Sequence, residues 1–409
     1  MVLGTMTFSI YTIGMAAEVQ DVTGLDSAQQ TIASDIARKE AVRSSWMDRT
    51  DVVVGVGMKD SKETHSQHHY VGESSMRHDD LNTVTSKSSK STEINKLYIE
   101  TLQPITHYDE NAKSVVFVQG RIGRSGEKIS SRALNNYWVP ARPAGTFITH
   151  DKQTDKKESL GMNANIGIGY RRLSKGEHAY VGVNAFYDHV FKGGYKRVSG
   201  GVEYVAGLNE FHANLYRNLG TDDRKYIGLR GRSNVLGDPA GLYPYGMDPD
   251  QSLYNYGVVS YENHWMLSEK VAASGFDVGY SRTFKNARWA RVYADYYNWR
   301  GRSPVKVGYY KLNKRDAIKG FKVGAEFHIT PHLTLDAGYQ TASHHLSGPY
   351  ATLKYTIGTS KFAWRGGKHS ESAITTARSK MLDKVHRSDM VVQETVEETY
   401  DHGVVDVGL

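Results

Sequence analysis

The feature that most constrains this chain is a strict alternation of apolar and polar residues that recurs between about residues 51 and 360. Within residues 321–330, Phe321 and Val323 alternate with Lys322 and Gly324. Successive side chains of a β-strand point to opposite faces, so this pattern places apolar groups on one face and charges on the other. The alternation therefore predicts strands with one apolar and one polar face.

About twelve segments follow this pattern, a number typical of bacterial outer-membrane barrels. They are residues 52–58, 97–106, 115–122, 162–171, 181–188, 198–204, 211–219, 276–281, 290–297, 321–330, 333–340 and 351–357. Soluble sandwiches alternate as well, so the pattern alone leaves both folds open.

The connections between these segments separate the two folds. Short connections around residues 109, 174, 207, 285 and 331 take turns with connections on the other side that are mostly much longer. The longer ones are residues 59–93, 123–158, 221–271 and 301–319, with short exceptions at 192–195 and 342–348. Short turns at one rim and long polar loops at the other are typical of a barrel in the outer membrane.

Segment length and aromatic placement favour lipid over water. Nine to eleven residues suffice for a tilted strand to cross hydrocarbon, and several aromatic residues lie near segment ends. These are Tyr187, Phe191, Tyr204, Tyr296, Trp299 and Tyr339. Backbone groups in lipid must pair with another strand, so the sheet has to close. The predicted fold is all-β, a transmembrane antiparallel β-barrel of about twelve strands.

The same alternation predicts a wet lumen. The polar residues expected to face it are Asn184, Asp188, Glu203, Asp277, Arg291, Asp295, Lys322, Glu326 and Asp336. Carboxylates such as Glu326, Asp336 and Asp295 could act as acid and base, but a solvated barrel lining is the simpler interpretation.

Composition adds exclusions. The 40 glycines and 27 tyrosines suit extended chain with tight turns, and the absence of cysteine excludes disulfides, Cys-ligated zinc and thiol catalysis. The net charge of +7 comes from scattered residues without a basic-aromatic motif, so nucleic acid is not expected as a partner. Positive loops at the outer rim predict contact with lipopolysaccharide and outer-membrane lipid.

The two ends of the chain differ from its centre. Residues 1–17 predict a secretory signal ending at Ala16 or Ala17, although no Lys or Arg precedes the apolar run, and a buried strand or helix is the alternative. Residues 18–50 predict a periplasmic segment with a short helix, and residues 51–365 the barrel. Residues 366–395 predict a helical or extended linker, and residues 396–409 a short exposed tail.

One stretch resembles a known family in the order and spacing of its residues. It predicts a strand, a tight hairpin and a second strand, and its matching positions are Gly182, Asn184, Phe186, Asp188, Arg197, Gly200, Gly201, Glu203 and Tyr204. This stretch is similar to the β-domain of the inverse autotransporters, the intimin and invasin family. Weaker resemblances cover residues 97–105, 117–124, 165–173, 321–339 and 380–394.

The resemblance implies a barrel with a periplasmic N-terminus through which a C-terminal passenger reaches the cell surface. Its assembly is expected to use the barrel-assembly machinery and periplasmic chaperones. The residues expected to thread the lumen are Met381, Leu382, Asp383, Val385, Arg387, Val391 and Val392. A helix over residues 373–385 would suit that path, and a periplasmic helix that never enters is the alternative. No peptidoglycan-binding module or Ig-like adhesin domain is recognised, so the exported segment is expected to be vestigial.

Other functions remain as alternatives. An enzyme would need an outward Ser–His pair on a strand, and none is seen, so neither catalytic residues nor a cofactor is expected. His65, His68, His69 and His78 could ligate zinc or copper, although a His-rich loop is the simpler interpretation. The long loops at residues 59–93 and 221–271 could bind a host or neighbouring cell directly, and the barrel could be a small-solute pore.

Overall fold

The computed structural model describes most of the chain from residue 45 onwards. The described residues are 45–71, 78–109, 111–141, 146–219, 223–236, 256–300, 306–307, 310–311, 317–342, 347–358 and 377–408. The predicted signal and nearly all of the predicted N-terminal helix lie outside them. No helix in this part of the chain is long and apolar enough to cross a membrane.

Strands dominate the described residues, with a 3-10 turn at Met47–Arg49 ahead of them. In chain order the strands are β1 Thr50–Val71, β2 His78–Pro104, β3 Ser114–Arg124, β4 Glu127–Ala141, β5 Thr146–Ser159, β6 Met162–Leu173, β7 Ala179–Val190, β8 Lys196–Ala206, β9 Asn209–Asn218, β10 Asp223–Leu236, β11 Tyr256–Ala272, β12 Gly275–Phe284, β13 Ala287–Trp299, β14 Lys306–Val307, β15 Tyr310–Lys311, β16 Ile318–His328, β17 Leu333–Gln340, β18 Gly348–Thr356 and β19 Val391–Gly408.

Among these, twelve strands form a closed antiparallel barrel. Its order is β1, β2, β3, β6, β7, β8, β9, β12, β13, β16, β17 and β18. The barrel closes where β18 pairs with β1, with Asp51 opposite Thr356 and Gly57 opposite Tyr350. Closure leaves no strand edge within the barrel, as hydrocarbon requires. The predicted fold class is confirmed.

The barrel wall has an apolar outside and a polar inside. Along β7, Val181, Val183 and Tyr187 are exposed on the outer face, whereas Asn184 and Asp188 are buried inside. Exposed aromatic rings cluster toward both ends of the wall: Tyr187, Phe191, Phe321 and Tyr339 at one, and Tyr170, Tyr204, Phe211, Phe284 and Tyr355 at the other. The outer face is thus an apolar band between two aromatic girdles. Trp299, predicted from its position near a segment end to belong to them, is instead 3% exposed and faces inward.

The two rims are built differently. The lower rim, where β1 begins at Thr50, carries short turns such as residues 174–178, 207–208 and 285–286. The upper rim carries the long connections, except for the short connections at residues 191–195 between β7 and β8 and at residues 341–347 between β17 and β18. Because short turns of outer-membrane barrels face the periplasm, the lower rim is the periplasmic one.

Three stretches predicted as long loops instead contain strands that extend beyond the upper rim. The upper part of β1 pairs with both β2 and β5, and β4 pairs with β5. β10 pairs with β11, and β19 lies between β4 and β11. These seven strands, β2, β1, β5, β4, β19, β11 and β10 in spatial order, are called the apical sheet. Both faces of the apical sheet lie outside the apolar band, so lipid does not require an apolar side chain at every second residue. Its strands therefore lack the alternation of the lipid-facing strands.

Residues 377–390, called the lumen segment, run through the barrel from the lower to the upper rim. Only Ala377–Lys380 form a helical turn, of the 3-10 type, and residues 381–390 are irregular and extended. The helix predicted over residues 373–385 is therefore limited, among its described residues, to this one turn. The stretch predicted as a tail, residues 396–409, belongs to β19 through Gly408.

Candidate functional site

One side of the lumen packs directly on the lumen segment. This side, called the packed wall, consists of β3 and β6 to β9. Met381, Leu382 and Val385 are buried against it in an apolar cluster. Their partners on the barrel are Leu102, Tyr108, Val115, Phe117, Leu173, Tyr180, Phe186 and Val205. An apolar cluster inside a polar barrel excludes water from the lower half of this path.

Glycines on the packed wall make room for these rings. A Cβ at Gly169 would lie 2.2 Å from the Phe117 ring, and one at Gly167 would lie 2.2 Å from the Phe186 ring. Since carbon atoms in contact lie about 3.5–4.0 Å apart, larger side chains would displace the rings from the lumen segment. The inward glycines of the sequence pattern therefore have a packing role.

Four cations of the lumen segment each meet a carboxylate of the barrel. Arg378 pairs with Glu177 at 2.8 Å, Lys380 with Glu210 at 2.6 Å, and Arg387 with Asp188 at 2.5 Å. Lys384 pairs with Asp51. The four carboxylates lie on different parts of the barrel: Glu177 on a lower turn, Glu210 on β9, Asp188 on β7 and Asp51 on β1. Ion pairs therefore hold the segment from several sides and at several heights of the lumen.

Near the upper rim the polarity of the ion pairs reverses. Asp389 of the lumen segment pairs with Arg121 and, at 3.5 Å, with Lys96. Apart from Asp383, the charged residues of the segment are thus cationic below and anionic above, and their partners on the barrel have the complementary charges. Such complementarity fixes the register of one chain against another.

The backbone of the lumen segment also bonds to wall side chains. Arg171 donates to the carbonyls of Met381 at 2.9 Å and Asp383 at 2.6 Å, while its Nε donates to Glu203 at 2.5 Å. Higher up, Arg197 donates to the carbonyls of Ser388 and Asp389. An extended chain cannot bond to itself as a helix does, so its buried polar groups require partners of this kind.

Two wall amides complete this set. The backbone N–H of Val385 donates to Gln119 Oε1 at 2.9 Å, and the Asn214 amide donates to the carbonyl of His386 at 3.0 Å. The backbone N–H of Ser388 donates to the Tyr216 hydroxyl at 2.8 Å. Along residues 381–389 the wall therefore takes the place of a neighbouring strand.

The charged residues of the family-like stretch take part in this grip. Asp188 accepts from both Arg197 and Arg387, and Glu203 orients Arg171. Phe186 lies under the Arg387 guanidinium, 4.4 Å from ring centroid to Cζ. The motif positions thus define a contact surface for the lumen segment.

The remaining positions of that stretch have other surroundings. Asn184 faces the lumen beside Gly201, where a Cβ would lie 2.8 Å from the Asn184 Oδ1 atom. A Cβ at Gly182 would lie 2.3 Å from Glu203 Oε1, so this glycine accommodates the carboxylate. Gly200 lies on the opposite face of β8, and Tyr204 is exposed on the outside of the barrel.

The opposite side of the lumen leaves open space. A cavity of about 290 Å³ lies between the lumen segment and β13, β16, β17 and β18, which are called the chamber wall. The predicted lumen-facing residues Arg291, Asp295, Lys322, Glu326 and Asp336 line it.

These charges bond mainly to side chains of the barrel. Arg291 pairs with Glu210 at 3.1 Å and also with Glu326, and Asp336 accepts from the Tyr293 hydroxyl at 2.5 Å. Arg291 also lies 2.9 Å from the Nε2 atom of His386 in the lumen segment.

Three further residues complete the predicted lumen set. Asp295 lies 3.7 Å from the His212 ring nitrogen. Lys322 lies over the Tyr350 ring at 4.8 Å. Asp277, on β12, accepts from Asn214 and from the Ser388 backbone.

The predicted linker residues divide between two places. Met381, Leu382, Asp383, Val385 and Arg387 lie in the lumen segment. Val391 and Val392 are buried at the upper rim, where β19 begins.

Several residues that contact the lumen segment are absent from the predicted lumen-facing set. Arg171, Gln119 and Glu210 face inward on their strands, and Arg171 is 0% exposed. Arg197 is predicted only as a position of the family-like stretch. Arg171 and Gln119 lie on the polar faces of predicted strands, so alternation marks them as inward without indicating that they contact a threaded chain.

The histidines considered as metal ligands lie in or near the apical sheet. His65 stacks on His150 at 5.0 Å, and their ring nitrogens approach to 2.9 Å. The side chains of His68, His69 and His78 lie outside the described set. Among the side chains that are described, no group of three or more potential ligands could hold a metal ion.

β19 is tied to its neighbours in the apical sheet by ion pairs. Glu394 lies 2.7 Å from Lys128 of β4 and 2.7 Å from Lys270 of β11, and Glu398 lies 2.8 Å from Arg132. Burial raises the pKa of Glu394, but hydrogen bonds from the two lysines outweigh burial and leave the pKa below its usual value.

Fold and site together define an outer-membrane β-barrel whose own C-terminal segment crosses its lumen. A family model for the inverse autotransporter β-domain matches residues 147–389, more than half of the chain. The chain belongs to the inverse autotransporter β-domain family, an outer-membrane translocator family, and the predicted family is confirmed. A search of curated proteins finds no significant match.

Solved structures give distant likenesses. The translocator domain of the autotransporter NalP from Neisseria meningitidis is 9% identical, with 80% of this chain and 95% of that chain covered and a TM-score of 0.21. The transport unit of the autotransporter AIDA-I from Escherichia coli is 12% identical, with 74% and 90% covered and a TM-score of 0.25. A chain from a study of in-meso crystallization of membrane proteins is 13% identical, with 84% and 99% covered and a TM-score of 0.43. With identities and TM-scores this low, these likenesses do not bear on function.

Proposed function

We propose that this barrel translocates and anchors its own C-terminal segment, carrying it from the periplasmic to the outer side of the membrane. The observation that supports this most is the path of residues 377–390, which enter at the lower rim and leave at the upper rim of a closed barrel. The exported part begins at β19. Residues 1–17 are proposed to direct the chain across the inner membrane beforehand.

The grip on the lumen segment supports anchoring as well as passage. Each of the four cations Arg378, Lys380, Lys384 and Arg387 has a carboxylate partner on the barrel, and Asp389 has two cationic ones. A chain sliding by even a few residues would separate these pairs and leave charges in a narrow lumen, which is costly. The ion pairs therefore favour one resting position, with β19 outside.

An epitope tag after residue 409 tests this proposal on intact cells. We expect an impermeant antibody to label the tag and added protease to remove the tag. A matched tag in the lower turn at residues 174–178 should be reached only after the outer membrane is opened. A tag in the upper turn at residues 191–195 should be accessible in both cases and so reports correct insertion. Protection of the C-terminal tag in cells that expose the upper-turn tag would overturn the proposal.

The charge pairing gives a second test. Arg378→Glu should weaken retention of the lumen segment, and Glu177→Arg in the same chain should restore it in part, because the pair is re-formed with reversed signs. Retention can be followed by proteolysis of residues 377–390 in the purified barrel in detergent. Equal protease sensitivity in the wild type and both variants would argue against anchoring by this pair.

A further inference from the structure

β19 joins two hairpins that are far apart in the sequence. It pairs parallel with β4 over residues 391–399 and antiparallel with β11 over residues 392–408. Among the described residues β4 and β11 do not pair with each other. The two hairpins, β4–β5 and β10–β11, are therefore held in one sheet by β19.

Removing β19 would open two strand edges that face each other. On the side that faces β19, β11 would lose its partner along its whole length, Tyr256–Ala272, and β4 along residues 127–135. The opening would be about 9.5 Å wide, two strand spacings, which is the width that one extended chain fills. Unpaired edges of this length bind another strand readily.

The cleft between β4 and β11 also has a charge preference. β19 carries five carboxylates, Glu394, Glu397, Glu398, Asp401 and Asp406, and no Lys or Arg. The described partners on the cleft walls are cationic: Lys128 and Lys270 share Glu394, and Arg132 pairs with Glu398.

The base of the cleft is apolar. Val392 is fully buried with Val190, Ala272 and Met390, and Val391 is buried with Ile129 and Ala273. Backbone bonds fix the first residues of the incoming strand, since Ala273 N–H donates to the Val391 carbonyl at 2.8 Å and Glu127 N–H to that of Met390 at 3.0 Å. Paired valines followed by acidic residues therefore match the cleft from its base upward.

We propose that the cleft between β4 and β11 is a strand-acceptor site outside the membrane, and that its ligand is an extended, acidic, valine-containing peptide. Its resident ligand is β19 of the same chain, which completes the apical sheet by strand addition. When that strand is missing, the site binds the same peptide from solution. How β19 reaches the site depends on the proposed function, but the site itself does not.

The first test uses the full chain, which has no cysteine of its own. Thr395 lies opposite Ser131 of β4 and Glu269 of β11. We expect a short bifunctional thiol reagent on intact cells to link Thr395→Cys with Ser131→Cys, and in a second variant with Glu269→Cys. The control pairs Thr395→Cys with Lys62→Cys, at the same height on β1 but three strand spacings, about 14 Å, away. The control should not link.

The second test supplies the strand in trans. A variant ending after Met390 keeps the lumen segment and lacks β19, and its folding is checked by the heat-modifiable mobility of the barrel on gels. A labelled peptide of residues 391–408 should bind it saturably, at least tenfold more tightly than a scrambled peptide or one carrying Glu394→Lys and Glu398→Lys. The full chain, whose site is filled, should not bind the peptide.

The outcomes separate the two proposals. An exposed C-terminal tag without either register cross-link overturns the strand-acceptor site and leaves export standing. A protected tag overturns export, while peptide binding to the shortened variant would still support the acceptor site. Equal binding of the scrambled peptide overturns the site, and if the shortened variant does not fold, the cross-links in the full chain decide.

Discussion

The two sides of the lumen have the same strand geometry but use their polar residues differently. On the packed wall, Arg171, Asp188 and Arg197 bond to the lumen segment, and apolar residues fill the space between them. On the chamber wall, Glu326 pairs with Arg291 and Lys354 and faces a cavity of about 290 Å³, while Arg291 also contacts His386 of the lumen segment. The comparison teaches that a polar lumen lining is not by itself a binding surface. A lining binds a chain where its charges also reach the polar groups of that chain, as Arg171 and Asp188 do, and where apolar contacts exclude water.

The largest expected effect comes from removing the lumen segment altogether. A variant ending after residue 376 lacks the segment that fills the packed side, so the cavity should extend across the whole lumen. We expect its single-channel conductance in planar bilayers to rise severalfold above that of the full chain. The variant ending after residue 390 keeps the segment and should stay near the wild-type value. Equal conductance in the two variants would mean that the lumen segment does not plug the barrel.

The second-largest effect is expected on stability, when a cation is removed from the packed wall. Removing a cation from the chamber wall serves as the comparison. Arg171→Met leaves Glu203 buried without its partner and frees two carbonyls of the lumen segment, which should cost about 3–5 kcal/mol in the free energy of unfolding. Lys322→Met, facing the chamber, should cost about 1 kcal/mol or less. Urea unfolding in lipid or detergent measures both. Adding Glu203→Gln to the first variant should recover part of the loss, and similar losses for Arg171→Met and Lys322→Met would contradict the distinction between the walls.

A smaller effect is expected for apolar packing. Met381 is fully buried in the apolar cluster of the packed side, so Met381→Ala should lower the free energy of unfolding by about 2–5 kcal/mol, toward the lower end if the segment relaxes into the space. Met58 borders the chamber and is only half-buried, so Met58→Ala should cost about 1 kcal/mol or less. The same unfolding measurement compares them. A larger loss of stability for Met58→Ala than for Met381→Ala would contradict the tighter packing inferred for the packed wall.

The smallest effect is expected in the apical sheet, where ion pairs hold β19 outside the membrane. Because the pKa of Glu394 is lower in the folded chain than in the unfolded one, its contribution is complete above about pH 4.5 and declines as the pH falls through the folded pKa. Ion pairs at such partly exposed sites contribute about 0.2–1 kcal/mol.

The measurement is hydrogen exchange of β19, with the wild type and Glu394→Gln compared at equal pH so that intrinsic exchange rates cancel. The wild type should be better protected at pH 7, and the difference should shrink toward pH 3. A difference that does not change with pH would argue against a role for the Glu394 charge.

How far the sequence predicts this protein depends on what surrounds each strand. In the barrel, the outer face meets lipid and the inner face meets polar groups, so residues such as Val181 and Asn184 alternate and the strand is visible in the sequence. In the apical sheet, strands such as β1 continue beyond the lipid. The alternation of apolar and polar residues ends there, so the sequence pattern predicts a loop for residues 59–93. Trp299 shows a related limit. Its position near a strand end predicts a place in an aromatic girdle, but its side chain points to the inner face of the strand and is buried.

The sequence by itself determined the number of barrel strands, the apolar outer face, the polar lumen and the family, because lipid imposes one requirement on every second residue of a barrel strand. Only the tertiary structure decided which lumen charges hold the chain and which line the cavity, since Asp188 and Asp336 have the same inward parity. It also decided that residues 396–408 continue β19, which pairs with β11 as far as Gly408 and with β4 as far as Thr399. Such a pairing joins segments more than a hundred residues apart, and the backbone groups that direct it are the same in every residue.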